Sequence, residues 1–353
     1  MKILVIQQKR IGDVLTSSIL CNILKEHYPE AHIDFLCYPN CTAVLEHNPN
    51  IESIITLSNP VRKSYLKLLD FIKGIRKREY EIVIDVYSKL ETNLITGLSG
   101  ATTRISYKKG YSAIFYNHNI ERVEKWTKSQ LGAAIENRLR LLKPLIAGRI
   151  TNFRPKIFLA EAEISKAKST LLANSVDPLK PLAMIGILGS EWYKTYPLEQ
   201  MAKLLDFTVE KTGSQLLFNY IPSQLDDAKK LYDFCSQKTR DHIFFDLYAQ
   251  NLRDFIGLLS QCDMLIGNEG GAVNMAKALD IPTFSIFSPS VDKETWQIFE
   301  DEKNVSIHLK DIRPEIYEAH DEKYIKEHTF EFFAEYPLEH ILSELDTFFK
   351  AVL

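Results

Sequence analysis

Gly267–Pro282 reads GNEGGAVNMAKALDIP and directly follows the apolar run Met264–Ile266. A strand that ends in a glycine-rich turn, with an amphipathic helix opening at that turn, leaves unpaired backbone N–H groups above the strand end. That geometry suits an anion. Far upstream, Arg10–Leu15 (RIGDVL) repeats the construction: strand Ile3–Ile6, a short polar loop, then a helix opening at Gly12-Asp13. Two such sites, each at the carboxyl end of a strand and in separate halves, predict two α/β domains sharing a cleft. One half would hold an anionic ligand and the other would supply a carboxylate.

A chain of 353 residues exceeds one typical core and fits two domains of this kind. Apolar residues at 45% and charged residues at 25% are ordinary for a globular protein. A net charge of −3 argues against nucleic-acid binding by bulk electrostatics. Cys21, Cys37, Cys41, Cys235 and Cys262 form no CxxC pair, and Cys37 with Cys41 lacks a second ligand pair for zinc. They read as buried thiols in a reducing compartment. The only apolar run before Gln7 is Ile3–Ile6, too short for a signal-peptide core, and no stretch approaches the roughly 20 apolar residues of a membrane span. A cytoplasmic protein is expected.

In the first half, Ile3–Ile6, Ile33–Cys37, Ile54–Leu57 and Ile82–Val86 read as strands covered on both faces, because they are apolar without polar alternation. Val14–His27, Thr42–Glu46 and Ser64–Arg78 read as helices between them, and a longer helix is expected over Lys128–Leu145. Arg149–Pro155 reads as a linker. The second half repeats the scheme, with strands expected at Leu182–Ile187, Gln215–Asn219, His242–Phe245, Met264–Ile266 and Thr283–Ile286. Helices are expected at Pro197–Thr212, Ser223–Gln237, Asn251–Ser260 and Gly271–Leu279. The alternation implies two doubly wound parallel sheets, in residues 1–155 and 156–335. Residues 336–353 form an amphipathic helix expected to pack back on the N-terminal domain, with Ile341, Leu342, Leu345, Phe348 and Phe349 on one face.

Position alone leaves each candidate residue two roles. Asp13 is either a first-turn carboxylate that satisfies backbone donors or a general base at the mouth of the sheet. Gly12 beside it allows close approach of a substrate to the backbone. Ser190 and Lys194, in the loop GILGSEWYKTYP at Gly186–Pro197, are exposed loop residues or a hydroxyl and a point charge for a diphosphate. Glu269, Gly270 and Gly271 form a tight capped turn or a phosphate cradle with a carboxylate for sugar hydroxyls. Arg62 and Lys63, with Lys67, and the pair Lys108-Lys109 form a solvated face or attract an anionic acceptor. No GxGxxG follows the first strand, and no GxxxxGK[ST], HExxH or GxSxG occurs, so dehydrogenase, P-loop and these hydrolase chemistries lack support.

At these residues the chain resembles the glycosyltransferase family 9 heptosyltransferases over nearly its full length. The resemblance rests on MKILVIQQKRIGDVLTSSIL with its R-x-G-D-x-L element, RPKIFL at the domain junction, the K-x-[WY]-P element at Lys194–Pro197, and GNEGGAVNMAKALDIPTFSIFSPS. It implies a GT-B fold and inverting, metal-independent transfer of a sugar, with ADP-heptose the expected donor. The implied acceptor is an anionic lipopolysaccharide-core or lipid-linked glycan, reached at the cytoplasmic face of the inner membrane. No cofactor, metal or nucleic acid is implied. By this likeness Asp13 is the catalytic base, Ser190 and Lys194 hold the donor diphosphate, and Glu269, Gly270 and Gly271 match the family's D-[ST]-G element. Gln224 falls at a ribose-binding position, Asn274 at a donor-side helix position, and Arg10, Gly12, Arg62 and Lys63 on the acceptor side. The chain departs from the family where Glu269 replaces Asp, Gly270 replaces Ser or Thr, Asn274 replaces His and Gln224 replaces Glu. Other readings of the same fold are transfer of a different sugar, epimerisation of a UDP-sugar, or nucleotide-sugar binding without catalysis.

Overall fold

The structure, a computed structural model, describes residues 1–123, 131–148, 150–151 and 153–353. The chain divides into two compact units, Met1–Phe158 and Leu159–Leu353. The first unit is built on six parallel strands: β1 (Lys2–Ile6), β2 (His32–Cys37), β3 (Ser53–Thr56), β4 (Ile82–Asp85), β5 (Thr103–Tyr107) and β6 (His118–Ile120), in the order β3-β2-β1-β4-β5-β6. Ile3, Leu4, Val5 and Ile6 of β1 are all fully buried, as the unbroken apolar run requires of a central strand. The helix Tyr65–Arg76 lays Leu68, Ile72 and Ile75 on one face of the sheet, against Leu4, Ile6 and Leu36.

Several boundaries differ from those expected. The run Val14–His27 is two helices, Ile11–Ser17 and Ile19–His27, because the hydroxyls of Thr16, Ser17 and Ser18 bond back to carbonyls of the preceding turn and loosen the ladder there. Residues expected as a helix at Thr42–Glu46 form instead a 3₁₀ turn over Pro39–Val44. The helix expected over Lys128–Leu145 is observed as Gly132–Arg140, while Lys128–Gln130 lie outside the described residues, as do Arg149 and Asn152 of the expected linker.

The second unit carries five parallel strands: β7 (Leu182–Gly186), β8 (Gln215–Phe218), β9 (Met264–Asn268), β10 (Thr283–Ile286) and β11 (Asn304–Ile307), in the order β11-β10-β9-β7-β8. The helix Leu198–Thr212 starts after Pro197 and stops at Gly213, whose φ of 64° is the left-handed closure that glycine supplies. No strand forms over His242–Phe245. That segment makes a single bridge, Leu216 to Ile243, before turning away. The apolar face of the final helix, Leu338–Val352, expected to serve the first domain, is part of the second unit's core. Its Ile341, Leu345, Phe348 and Phe349 belong to the second unit's own core, where Phe349 stacks on Phe207 at 6.5 Å and Phe348 meets Phe284 at 5.7 Å. The apolar face was legible, and the partners it meets are Phe284 of β10 and Phe207 of the helix Leu198–Thr212. Among the described residues, no helix is long and apolar enough to cross a membrane.

Each sheet has one place where the chain reverses direction. The connection after β1 runs toward β2 and that after β4 toward β5, which opens a crevice above the carboxyl ends of β1 and β4. In the second unit the same reversal falls between β7 and β9. There Gly186 pairs with Gly267, and a Cβ on Gly267 would stand 2.3 Å from the Gly186 carbonyl oxygen. Gly267→Ala is therefore expected to cost roughly 1–3 kcal/mol or more, the range for overpacked sites. Thermal unfolding should show a midpoint several degrees lower, and a midpoint within one degree of wild type would mean the two strands re-space without penalty.

Candidate functional site

The first unit's crevice is built around Asp13. The loop from β1 closes at Arg10, whose φ of 64° lies in the half of the backbone map that disfavours side chains. Asp13 then sits in the first turn of the helix Ile11–Ser17. Its carbonyl accepts from the hydroxyls of Thr16 and Ser17 at 3.2 and 2.7 Å. Its Oδ1 accepts from Arg138 Nη2 at 3.0 Å, and the same nitrogen reaches the Asp13 carbonyl at 3.2 Å. Arg138 is itself buried and donates from Nε to Ser17 Oγ at 2.8 Å and from Nη1 to the Ala134 carbonyl at 2.6 Å. The carboxylate is thus held through one oxygen, and Oδ2 has no hydrogen-bond partner among the described residues. Cys41 lies close enough that its thiol is pushed up to about 11, chiefly by burial and further by the Asp13 charge. All five cysteines are buried and free.

Above β4 and β5 the same crevice is cationic. Asp85, fully buried at the end of β4, accepts from the backbone N–H groups of Tyr87 and Ser88 and from Tyr116 Oη, and so fixes the next loop. Burial raises its pKa, partly offset by those donors. The Ser88 carbonyl accepts from Lys109 Nζ at 2.8 Å. The pKa of Lys109 is lowered, first by burial and then by the nearby cations Arg122 and Lys89. Arg122 also lies over the buried Tyr107 ring at 3.9 Å. Lys109 faces inward and Lys108 outward, a distinction the adjacent lysines do not reveal in sequence. Arg62 is half-buried and forked onto Glu91, with Nε and Nη2 at 3.3 and 3.1 Å from Oε1, and stacks over Tyr38. Lys63 beside it is exposed. These two follow β3, and Tyr87, after β4, lies within electrostatic reach of both Arg62 and Asp13.

In the second unit Asn268, the last residue of β9, joins the two loops at the reversal. Its Oδ1 accepts from Tyr196 N at 2.6 Å, and its Nδ2 donates to the carbonyls of Gly186 and Ile187 at 3.0 and 3.1 Å. The loop after β7, which carries exposed Ser190 and half-buried Lys194, is thereby fixed beside the turn Glu269–Gly271. Gly189 is required where it stands, because a Cβ there would meet the Lys194 carbonyl at 2.4 Å. The helix Gly271–Ala278 opens at that turn. A Cβ on Gly270 or Gly271 would meet nothing within 4 Å, and the first N–H groups of a helix have no partner within it. Asn274 is buried one turn in, and its N–H bonds the Gly270 carbonyl at 3.2 Å. Gln224 follows β8, on the other side of β7. Its side-chain carbonyl accepts from Ile221 N at 3.1 Å, so it caps its own turn and offers only its amide N–H₂ outward.

The structure therefore brings Ser190, Lys194, Glu269, Gly270, Gly271 and Asn274 to one crevice, and Arg10, Gly12 and Asp13 to another in the other unit. Arg138, Lys109, Arg122 and Asn268 are additions of the fold. The sequence profile of glycosyltransferase family 9 (heptosyltransferase) matches residues 68–324. Lipopolysaccharide heptosyltransferase 3 of Escherichia coli is 24% identical over 296 residues, covering 81% of this chain and 82% of that protein. A family 9 glycosyl transferase from Veillonella parvula superposes with a TM-score of 0.78 at 16% identity, covering 98% of this chain and 96% of that one. An Escherichia coli heptosyltransferase with ADP-2-deoxy-2-fluoro heptose superposes with a TM-score of 0.62 at 15% identity, over 91% and 100% of the two chains. With two doubly wound parallel sheets, a sugar-transferase motif order and a family match over most of its length, the chain belongs to glycosyltransferase family 9 and is a glycosyltransferase.

Proposed function

We propose that the protein transfers a heptose from ADP-heptose to a hydroxyl of a lipopolysaccharide-core acceptor, with inversion and without a metal. The observation that carries this is the second unit's reversal point, where Asn268 ties the Lys194 loop to the helix opening at Gly271. A cation beside the opening turn of a helix suits a nucleoside diphosphate and favours the charge that develops as it leaves. The acceptor oxygen forms a bond to the anomeric carbon while the bond from that carbon to the diphosphate oxygen breaks on the opposite face. The acceptor's proton passes to Asp13. The reaction requires that an acceptor held at Asp13 reach a donor held on the second unit during turnover. The cations Lys109 and Arg122 suit an anionic acceptor, and the likeness to a heptosyltransferase holding an ADP-heptose analogue supports the donor.

The test is a panel of nucleotide sugars with and without a lipopolysaccharide-core acceptor. ADP release is expected from ADP-heptose only when acceptor is present, and it should survive EDTA unchanged. Release from UDP-sugars alone, or none from ADP-heptose, would overturn the donor assignment, and loss with EDTA the metal independence. Lys194→Ala is expected to weaken ADP-heptose binding by roughly 10–150-fold, the worth of a charge-assisted hydrogen bond. Calorimetry reads this directly, and an unchanged affinity removes Lys194 from the donor site.

A further inference from the structure

Gln8 follows β1 in the loop that leads to Asp13, and its side chain is fully buried. Neither its amide nitrogen nor its amide oxygen has a hydrogen-bond partner among the described residues. The other buried side-chain atoms in this condition, on Thr96, Asn119, Gln200 and Glu300, come one to a residue. A primary amide offers donors and an acceptor together, and leaving all of them unmade in the interior costs free energy. Native structures keep such groups rarely, and then for a reason.

The same loop carries a second unfavourable feature. Arg10 has a φ of 64° and a ψ of 134°, outside the regions open to a residue with a side chain. The loop is held from both ends. Gln7 N donates to the Leu36 carbonyl at 3.0 Å, continuing the pairing of β1 with β2, and Val14 N donates to the Arg10 carbonyl at 3.1 Å. Between them the Gln8 carbonyl accepts from the Cys41 thiol at 3.8 Å, and Cys41 lies within electrostatic reach of Asp13. An unpaired amide and a strained backbone thus share one short segment at the crevice of the proposed base. Strain of this kind collects at ligand clamps and switch segments, where a second conformation relieves it.

The chemistry of the amide narrows what would pair with it. It is neutral, so it gains little from the anionic charge that Lys109 and Arg122 suit. It matches neighbouring hydroxyls, donating to one and accepting from the other. We propose that Gln8 recognises the acceptor sugar. As the sugar enters, the loop Gln7–Arg10 shifts, Arg10 leaves its positive φ, and the Gln8 amide bonds hydroxyls that flank the one Asp13 deprotonates. Those bonds exist only in the shifted state, so they are the differential contacts that move the loop. The inference rests on the transfer reading above, and it adds selectivity for the pattern of hydroxyls where the cations read only charge.

The test is Gln8→Met, which keeps the length and most of the volume of the side chain and removes the amide. An apolar group of like shape in place of an orphaned polar one should raise the thermal midpoint or leave it unchanged. With ADP-heptose and a lipopolysaccharide-core acceptor, the acceptor KM should rise about tenfold, the worth of a pair of hydrogen bonds between uncharged groups. Calorimetric affinity for ADP-heptose should stay at the wild-type value. An amide kept only for the fold gives the opposite pattern, a lower midpoint with the acceptor KM unchanged. Either of those results, or a weaker affinity for ADP-heptose, overturns the proposal. Wild type that transfers nothing overturns the transfer reading and this inference together, whereas an active wild type matched by Gln8→Met removes Gln8 alone.

Discussion

Asp13→Asn is expected to lower turnover by roughly two to four powers of ten, the usual worth of a general base, while leaving the affinity for the nucleotide sugar intact. The substitution is informative because it keeps the geometry. An asparagine oxygen can still accept from Arg138 at the place of Oδ1, and the backbone carbonyl keeps its bonds from Thr16, Ser17 and Arg138. What is lost is the negative charge and the proton-accepting capacity of the second oxygen. A buried guanidinium facing a neutral amide costs some stability, of order 1 kcal/mol given that the Asp13 side chain is 27% exposed. Steady-state turnover with donor and acceptor, paired with calorimetric donor binding, separates the two effects. Turnover within threefold of wild type in a folded variant would remove Asp13 from the proton transfer and leave it a helix-opening carboxylate.

How far such a role could be read in advance depended on distance along the chain. The central strands were legible because a strand covered on both faces is apolar throughout, as KILVI at β1 is. β5 and β6 were not, since TRISY mixes polar and apolar residues and HNI offers three residues at a sheet edge. β11, NVSI, fails for the same reason, and the helix Glu161–Ala173 has only a shallow apolar face, with Ala167 and Leu171 buried. Asp13, Lys194 and the Gly270 turn were visible because each is a local event, a residue type at the carboxyl end of a strand. Asn268 looked like an ordinary strand end, and its three bonds across to β7 and the loop after it appear only once the strands pair. Arg138 lies 125 residues from Asp13, in a stretch NRLR where Arg140 pairs locally with Glu136. Nothing in that stretch marks which arginine turns inward. The tail helix shows the same limit, since its apolar face was plain and the surface it covers was not.

That inward arginine carries the second large effect. Arg138→Lys keeps a positive charge but loses the fork that binds Asp13 Oδ1, the Asp13 carbonyl and Ser17 at once. An ammonium on a flexible stem holds one such partner well, and the carboxylate gains freedom to rotate away from the attacking hydroxyl. A displacement near 1 Å at a reacting group can cost about a hundredfold, so turnover should fall roughly 10–100-fold with the donor KM unchanged. Arg138→Met goes further. It leaves Ser17 Oγ and the Ala134 carbonyl without their donor, and should cost about 1–3 kcal/mol, less than the about 3–5 of a fully buried pair because Asp13 is partly solvated. A purely structural arginine would lower the amount of folded protein and leave turnover per folded molecule alone. The double variant distinguishes these. If Arg138 acts through Asp13, Asp13→Asn with Arg138→Lys should turn over no more slowly than Asp13→Asn alone, because a base that is gone cannot be misplaced. Losses that multiply in the double variant would show that Arg138 serves catalysis, or the fold, by a route that does not pass through Asp13.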